Sequence, residues 1–168
     1  MNEIAVIILN WQGWQNTIAC LNSLQQLSSI PTIIVCDNAS EDDSFEQILN
    51  WAQQHYLPTK IGIFSHPRFT TNEPKYSFVL IQTGANLGFA GGNNIGIRYA
   101  LITRCYEYIW LLNNDTVVDS QAMTKLYEYI ISKPNIALLG STVIDYYQRD
   151  KIQCAGGCSY FPLFTIFK

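Results

Sequence analysis

Ile4 to Leu9 (IAVIIL) is an unbroken apolar run, the pattern of a strand covered on both faces within a parallel sheet. Behind it Trp14, Ile18, Leu21, Leu24 and Leu27 recur at three and four residues. That spacing predicts an amphipathic helix that stops before Pro31. Ile33 to Cys36 reads as a second strand. Ser40 with Asp43 three residues on resembles a capping box, and Phe45, Ile48, Leu49, Ala52 and Tyr56 carry the buried stripe of a second helix. The alternation continues with a strand over Phe78 to Ile81, a helix over Ile95 to Cys105, a strand over Tyr108 to Leu112 and a helix over Ser120 to Ser132. Ile136 to Leu139 predicts a further strand. Residues 57 to 75 break the rhythm with Pro58, Pro67 and Pro74, so they read as a surface excursion holding one short extra strand at Ile61 to Phe64.

Strands alternating with helices of this length predict right-handed crossovers and an α/β fold: an open, mainly parallel sheet with helices on both faces. At 168 residues the chain is read as a single domain, 1–168. Charged residues make up only 14%, and the net charge of −3 includes no basic run, which argues against nucleic acid as a partner. The apolar run at the start is too short for a bilayer span and has no basic flank before it, so a cytoplasmic location is expected. Cys20, Cys36 and Cys105 sit in apolar surroundings and read as packed thiols. Cys154 and Cys158 lack the further ligands that zinc needs.

In open parallel sheets ligands bind beyond the carboxyl ends of the strands. Those ends are alike here: Asn10-Trp11 after the first strand, Asp37-Asn38-Ala39-Ser40 after the second, Asn86-Leu87-Gly88 beyond the third, and Asn113-Asn114-Asp115 after the fourth. Asn and Asp also favour turns for purely local reasons, but four such ends on one rim point to a ligand. The stretch NLGFAGGNNIG, 86 to 96, places glycines before and within the start of a helix. There the backbone can approach a ligand closely, or the helix itself can come close to the sheet. It lacks the G-x-G-x-x-G spacing of dinucleotide sites, which disfavours a nicotinamide enzyme. Asp115 suits Mg²⁺ or Mn²⁺, hard cations that complete their coordination with water and a substrate diphosphate. The other use of Asp115, a turn or helix cap, is better served by Asp119. Trp11 is placed to stack on a base or to pack beside the first strand.

With these residues assembled, the chain resembles the family 2 glycosyltransferases of the GT-A fold, and most closely their rhamnosyltransferase-like branch. VIILNW resembles that family's first strand, VCDNASED its acidic second-strand motif, NLGFAGGNNIG its glycine segment and LLNNDT its metal-binding DxD. CAGG at 154–157 resembles a later segment. The resemblance implies inverting transfer of a sugar, rhamnose from a thymidine carrier in that branch, from a nucleotide diphosphate sugar to a saccharide or lipid-linked acceptor. The setting it implies is cell-surface polysaccharide synthesis, with peripheral membrane association. It assigns Asn10 and Asp37 to the nucleoside, Asn86, Gly88 and Asn94 to the pocket wall, Asn113 to the ribose, and Asp115 to Mg²⁺ or Mn²⁺. Asn113 replaces the first DxD carboxylate, so an amide faces the ribose here.

The family's base lies in a later Asp- and Glu-rich motif, and this chain ends at Lys168 before reaching one. The expectation is therefore a donor-binding portion that lacks the acceptor and base region, transfers no sugar alone, and has Asp145 and Asp150 as solvated loop residues. The alternative is a non-catalytic nucleotide-binding or scaffold module that kept the fold. A nucleotidyltransferase would need a basic, glycine-rich signature where NWQGWQ stands. The apolar segment SYFPLFTIFK, 159–168, predicts homo-oligomer formation through the end of the chain.

Overall fold

A computed structural model describes residues 4–103 and 106–155, together with the backbone of 160–161 and 166–167. The chain divides into two compact units, Met1–Val118 and Asp119–Lys168.

The first unit is built on five parallel strands in the order β3-β4-β2-β1-β5. These are β1 (Ile4–Asn10), β2 (Thr32–Asp37), β3 (Ile61–Phe64), β4 (Phe78–Gln82) and β5 (Tyr108–Asn113). The apolar runs are continuous because both faces are covered. Ala5, Ile7, Ile34, Cys36, Val79 and Ile81 pack with Ile95, Tyr99 and Ala100 of α3 (Gly88–Thr103). Strand residues alternate in direction, so Val6, Ile8, Ile33, Val35 and Leu80, equally buried, face the other way. On that side lie α1 (Trp14–Leu24) and α2 (Ser44–His55), and Trp51 of α2 meets the Phe78 ring at a centroid distance of 5.9 Å. The expected open parallel sheet with helices on both faces is the observed one.

The helix α3 begins seven residues ahead of its expected start at Ile95 and takes in most of the glycine segment. Its glycines act on packing as well as on the turn. A Cβ at Gly96 would lie 2.7 Å from Ile7 Cγ2 and 3.1 Å from Cys36 Sγ, so the bare backbone lets α3 rest directly on β1 and β2. The excursion after α2 holds a 3₁₀ turn (Pro58–Lys60) and then β3, at the bounds expected for the extra strand.

The second unit contains α4 (Ala122–Ile131) and two antiparallel pairs, β6 (Thr142–Ile144) with β7 (Ile152–Ala155) and β8 (Tyr160–Phe161) with β9 (Ile166–Phe167). Two expectations are corrected. Ile136 to Leu139 forms no strand: turns continue beyond α4 through Lys133 N–H to Ile130 O and Ile136 N–H to Lys133 O, and Leu138 is 92% exposed. A short apolar run becomes a strand only when a neighbour accepts its ladder, and here Thr142–Ile144 finds that neighbour instead. Nor does Ser40 cap α2. The helix starts at Ser44, where Asp42 Oδ1 accepts the Ser44 N–H at 3.1 Å, while the Ser40 hydroxyl turns back to the Asp37 carboxylate. Cys105, Cys158 and the side chains of the 159–168 segment, with its expected self-association, lie outside the described residues.

Candidate functional site

The strand order decides where the site lies. From β1 the sheet runs one way to β2, β4 and β3 and the other way to β5, so the β1/β5 boundary is the switch point at which crossover connections diverge and leave a crevice. A cleft of 450 Å³ opens there. It is lined by Leu9 and Trp11 at and beyond the end of β1, Leu112, Asn113, Asn114 and Asp115 at and beyond the end of β5, Asn38 after β2, and Asn86, Gly88 and Phe89 just before and at the start of α3.

Beneath this cleft lies a buried polar network. Asn10 and Asp37 stand in register at the ends of β1 and β2, fully and almost fully buried, and Asn10 Nδ2 donates to Asp37 Oδ1 at 2.9 Å. Asp37 also accepts the Ser40 hydroxyl at 2.6 Å and the Ser40 N–H at 3.2 Å. Ser40 Oγ accepts the Gln12 N–H at 2.9 Å, tying together the turns after β1 and β2. Both turns pass through the left-handed region at non-glycine residues, Gln12 at φ 49° and Ala39 at φ 57°. Such conformations cost on the order of 1 kcal/mol each and persist where surrounding bonds hold them.

Asn38 points the other way. Its Nδ2 donates to Asn86 Oδ1 at 2.9 Å, and its Oδ1 accepts the Leu87 N–H at 3.0 Å, so it fastens the glycine segment to β2. Asn86 Oδ1 also accepts the Gly88 N–H at 3.0 Å, and Gly88 enters the helix at φ 67°, a conformation that favours glycine.

Asn113 begins a turn closed by Thr116 N–H to Asn113 O at 3.2 Å, which puts Asn114 and Asp115 at its two corners. Asn114 Nδ2 donates to the buried Thr17 hydroxyl at 3.1 Å. Asp115 is exposed, and its carboxylate accepts no hydrogen bond among the described residues. It caps nothing, because Asp119 takes the Gln121 N–H ahead of α4 at 2.9 Å. Under the turn, Cys20 is buried; burial, and then the charge of Asp115, push its thiol up to about 12.

The structure therefore brings together Asn86, Gly88, Asn113 and Asp115 around one cleft. Asn10 and Asp37 lie below it with their polar atoms engaged by the protein. Asn94 is exposed farther along α3 and is not among the cleft residues; its neighbour Asn93 is buried and donates to Phe89 O at 2.9 Å. Sequence reasoning gave no individual role to Asn38, Asn114, Phe89 or Thr17. The first two lay inside the polar strand ends already singled out, whereas a threonine on an apolar helix stripe carries no signal. Trp11, 53% exposed, stands on the cleft wall as does Phe89, 63% exposed.

No group of three or more His, Cys, Asp or Glu side chains gathers among the described residues, and the cleft lining offers a divalent cation one carboxylate, Asp115. That donor set fits Mg²⁺ or Mn²⁺ held largely by phosphate and water, and does not fit a structural zinc. Among the described residues no helix is long and apolar enough to cross a membrane.

The chain is similar to several known proteins. The chain is 25% identical over 142 residues to the low-salt glycan biosynthesis hexosyltransferase Agl10 of Haloferax volcanii, covering 81% of this chain and 37% of that protein. Among solved structures it superposes on S. aureus TarS 1-349 with a TM-score of 0.51 at 15% identity, over 77% of this chain and 32% of that one. The same TarS fragment in complex with UDP gives 0.52 with the same identity and coverage. The structural likeness is one of fold, and it bears out the GT-A type of sheet. The chain thus spans about a third of the length of the relatives it matches. The model of the family described as Glycosyl transferase family 2 matches residues 5–155, nearly the whole described chain, and the chain belongs to that family.

Proposed function

We propose that this chain is the donor-binding portion of an inverting, metal-dependent glycosyltransferase that moves a sugar from a nucleoside diphosphate to an acceptor hydroxyl. Rhamnose is the sugar favoured by the motif resemblance. The observation that carries the reading is the exposed, unbonded carboxylate of Asp115 at the corner of a turn, facing a cleft with aromatic walls at the β1/β5 switch point. The UDP carried by the TarS complex is consistent with a nucleotide in the corresponding cleft.

The residues divide the work by chemistry. Trp11 and Phe89 offer ring faces for a base, and stacking of this kind is worth about 1–3 kcal/mol. Asn38 and Asn86 hold the glycine segment against the nucleoside side, and Asn113 lies toward the ribose. Asp115 holds the divalent cation. When bound, that cation neutralises charge on the departing diphosphate. In the transfer the acceptor oxygen bonds to the anomeric carbon as the bond to the diphosphate oxygen breaks. The electron pair leaves with the diphosphate, and a base takes the acceptor proton. Asp145 serves a local turn, where its Oδ1 accepts the N–H groups of Tyr147 and Gln148 at 2.9 and 2.7 Å within the β6–β7 connection.

Calorimetry with UDP and dTDP, with and without Mn²⁺, tests the reading. Binding that requires Mn²⁺ in the parent and is lost in Asp115→Ala is the expected result. Binding equal with and without metal would overturn the metal role, and no binding of either nucleotide would overturn the donor-site reading.

A further inference from the structure

The geometry points to Thr17 as a positioning residue that ties the Asp115 turn to the buried Asn10–Asp37 pair. This rests on the donor-site reading above. Thr17 is fully buried on α1, yet its hydroxyl faces the polar network. Three hydrogen bonds run in one sense through it: Asn114 Nδ2 donates to Thr17 Oγ1 at 3.1 Å, Thr17 Oγ1 donates to Asn10 Oδ1 at 2.7 Å, and Asn10 Nδ2 donates to Asp37 Oδ1 at 2.9 Å.

The direction of the chain matters. Asp37 can only accept, which turns the Asn10 amide so that its oxygen faces Thr17. The Thr17 hydroxyl donates to Asn10 at 2.7 Å, with the Gly13 carbonyl a longer second acceptor at 3.2 Å, and its oxygen receives Asn114. Bonds aligned in this way polarise one another, and the chain ends on a carboxylate. Among the described residues the Asn114 side chain makes no other hydrogen bond, and Asn114 occupies one corner of the turn whose other corner is Asp115. Thr17 therefore sets the orientation of the metal-side turn relative to the β1/β2 ends, across the switch point, without touching the ligand. Gly13 allows the approach: a Cβ there would lie 3.3 Å from Asn114 Nδ2.

Thr17→Val keeps the shape and removes the bonds to Asn10 and Asn114 together with the longer one to Gly13 O, whereas Thr17→Ser keeps the hydroxyl. The first measurement needs no ligand: NMR of the side-chain amide of Asn114 and backbone ¹⁵N relaxation over 113–115. In Thr17→Val the amide should move toward the shift of a solvated asparagine and the turn should gain motion, while Thr17→Ser stays close to the parent. The second is calorimetry with UDP and Mn²⁺, where loss of an outer-shell partner should weaken metal-dependent binding about tenfold in Thr17→Val and be restored in Thr17→Ser. An unchanged Asn114 amide and turn in a folded Thr17→Val overturns the inference. If Thr17→Val fails to fold, Asn114→Ala removes the donor alone, and undisturbed relaxation over 113–115 in that variant overturns it equally. A parent that binds no UDP with Mn²⁺ counts against the donor-site reading, and the ligand-free spectra still decide the role of Thr17.

Discussion

Asn10 and Asp37, 27 positions apart in sequence, face each other in register at the ends of adjacent parallel strands and share a buried 2.9 Å hydrogen bond. A carboxylate held at 1% exposure is stabilised by donors, and Asp37 has three: the Asn10 amide, the Ser40 hydroxyl and the Ser40 N–H. This makes Asp37 part of the floor that supports the site.

Asp37→Ala should consequently destabilise the protein by about 1–3 kcal/mol, since it removes an acceptor of the buried Asn10 amide and of the half-buried Ser40 hydroxyl and N–H. Urea unfolding of parent and variant checks this. A variant as stable as the parent would show that Asp37 acts only on ligand.

Trp11→Ala should behave in the opposite way. At 53% exposure the ring contributes little to the core, so stability should change by no more than about 0.5 kcal/mol. Nucleotide binding should weaken about tenfold if the ring stacks on a base. Fluorescence titration with UDP and Mn²⁺, compared with the unfolding curve, separates the two effects.

Gly96→Ala should cost about 1–3 kcal/mol through overpacking, because the added methyl meets Ile7 and Cys36 in the middle of the sheet, where neither can withdraw. Thermal unfolding reads this directly. An unchanged midpoint would mean that α3 shifts off the sheet at little cost.

Cys20 and Cys36 provide a pH test. Burial is the main cause that pushes both thiols from 9.0 up to about 12. Below pH 9 both the folded and unfolded chains keep these protons, so their contribution is fully present. Between 9 and 12 only the unfolded chain releases them, so stability falls as pH rises. Unfolding free energy measured from pH 7 to 10.5 should be flat with respect to these thiols at first and then decline. Iodoacetamide at pH 8 should leave both unmodified in the folded protein and label them in urea.

The elements that could be read from the chain are those whose burial imposes a pattern. IAVIIL and FVLI are apolar throughout because helices cover both faces, and the three- and four-residue spacing in α1 and α2 follows from one covered face. Ile136 to Leu139 shows the limit of that signal: four apolar residues look the same whether or not a neighbouring strand exists to pair with them. Ser40 shows another. Its place before an acidic run reads as a cap, yet in the fold its hydroxyl donates to the buried Asp37 carboxylate and accepts the Gln12 N–H instead of one from α2.

What the sequence determined by itself was the alternation of strands and helices, the parallel sheet it entails, and the polar residues at the strand ends, including Asp115. These are local properties, set by side-chain period and by what can follow an apolar run. Tertiary structure alone decided that β5 pairs with β1, which sets the cleft at that boundary, and that Asn38 faces the cleft while Asp37 lies beneath it. It also decided that Thr17 joins Asn114 to Asn10 over sequence separations of 97 and 7 residues. Strand order, side-chain direction at a strand end and hydrogen bonds between distant segments depend on which surfaces meet, and that is settled only when the chain packs.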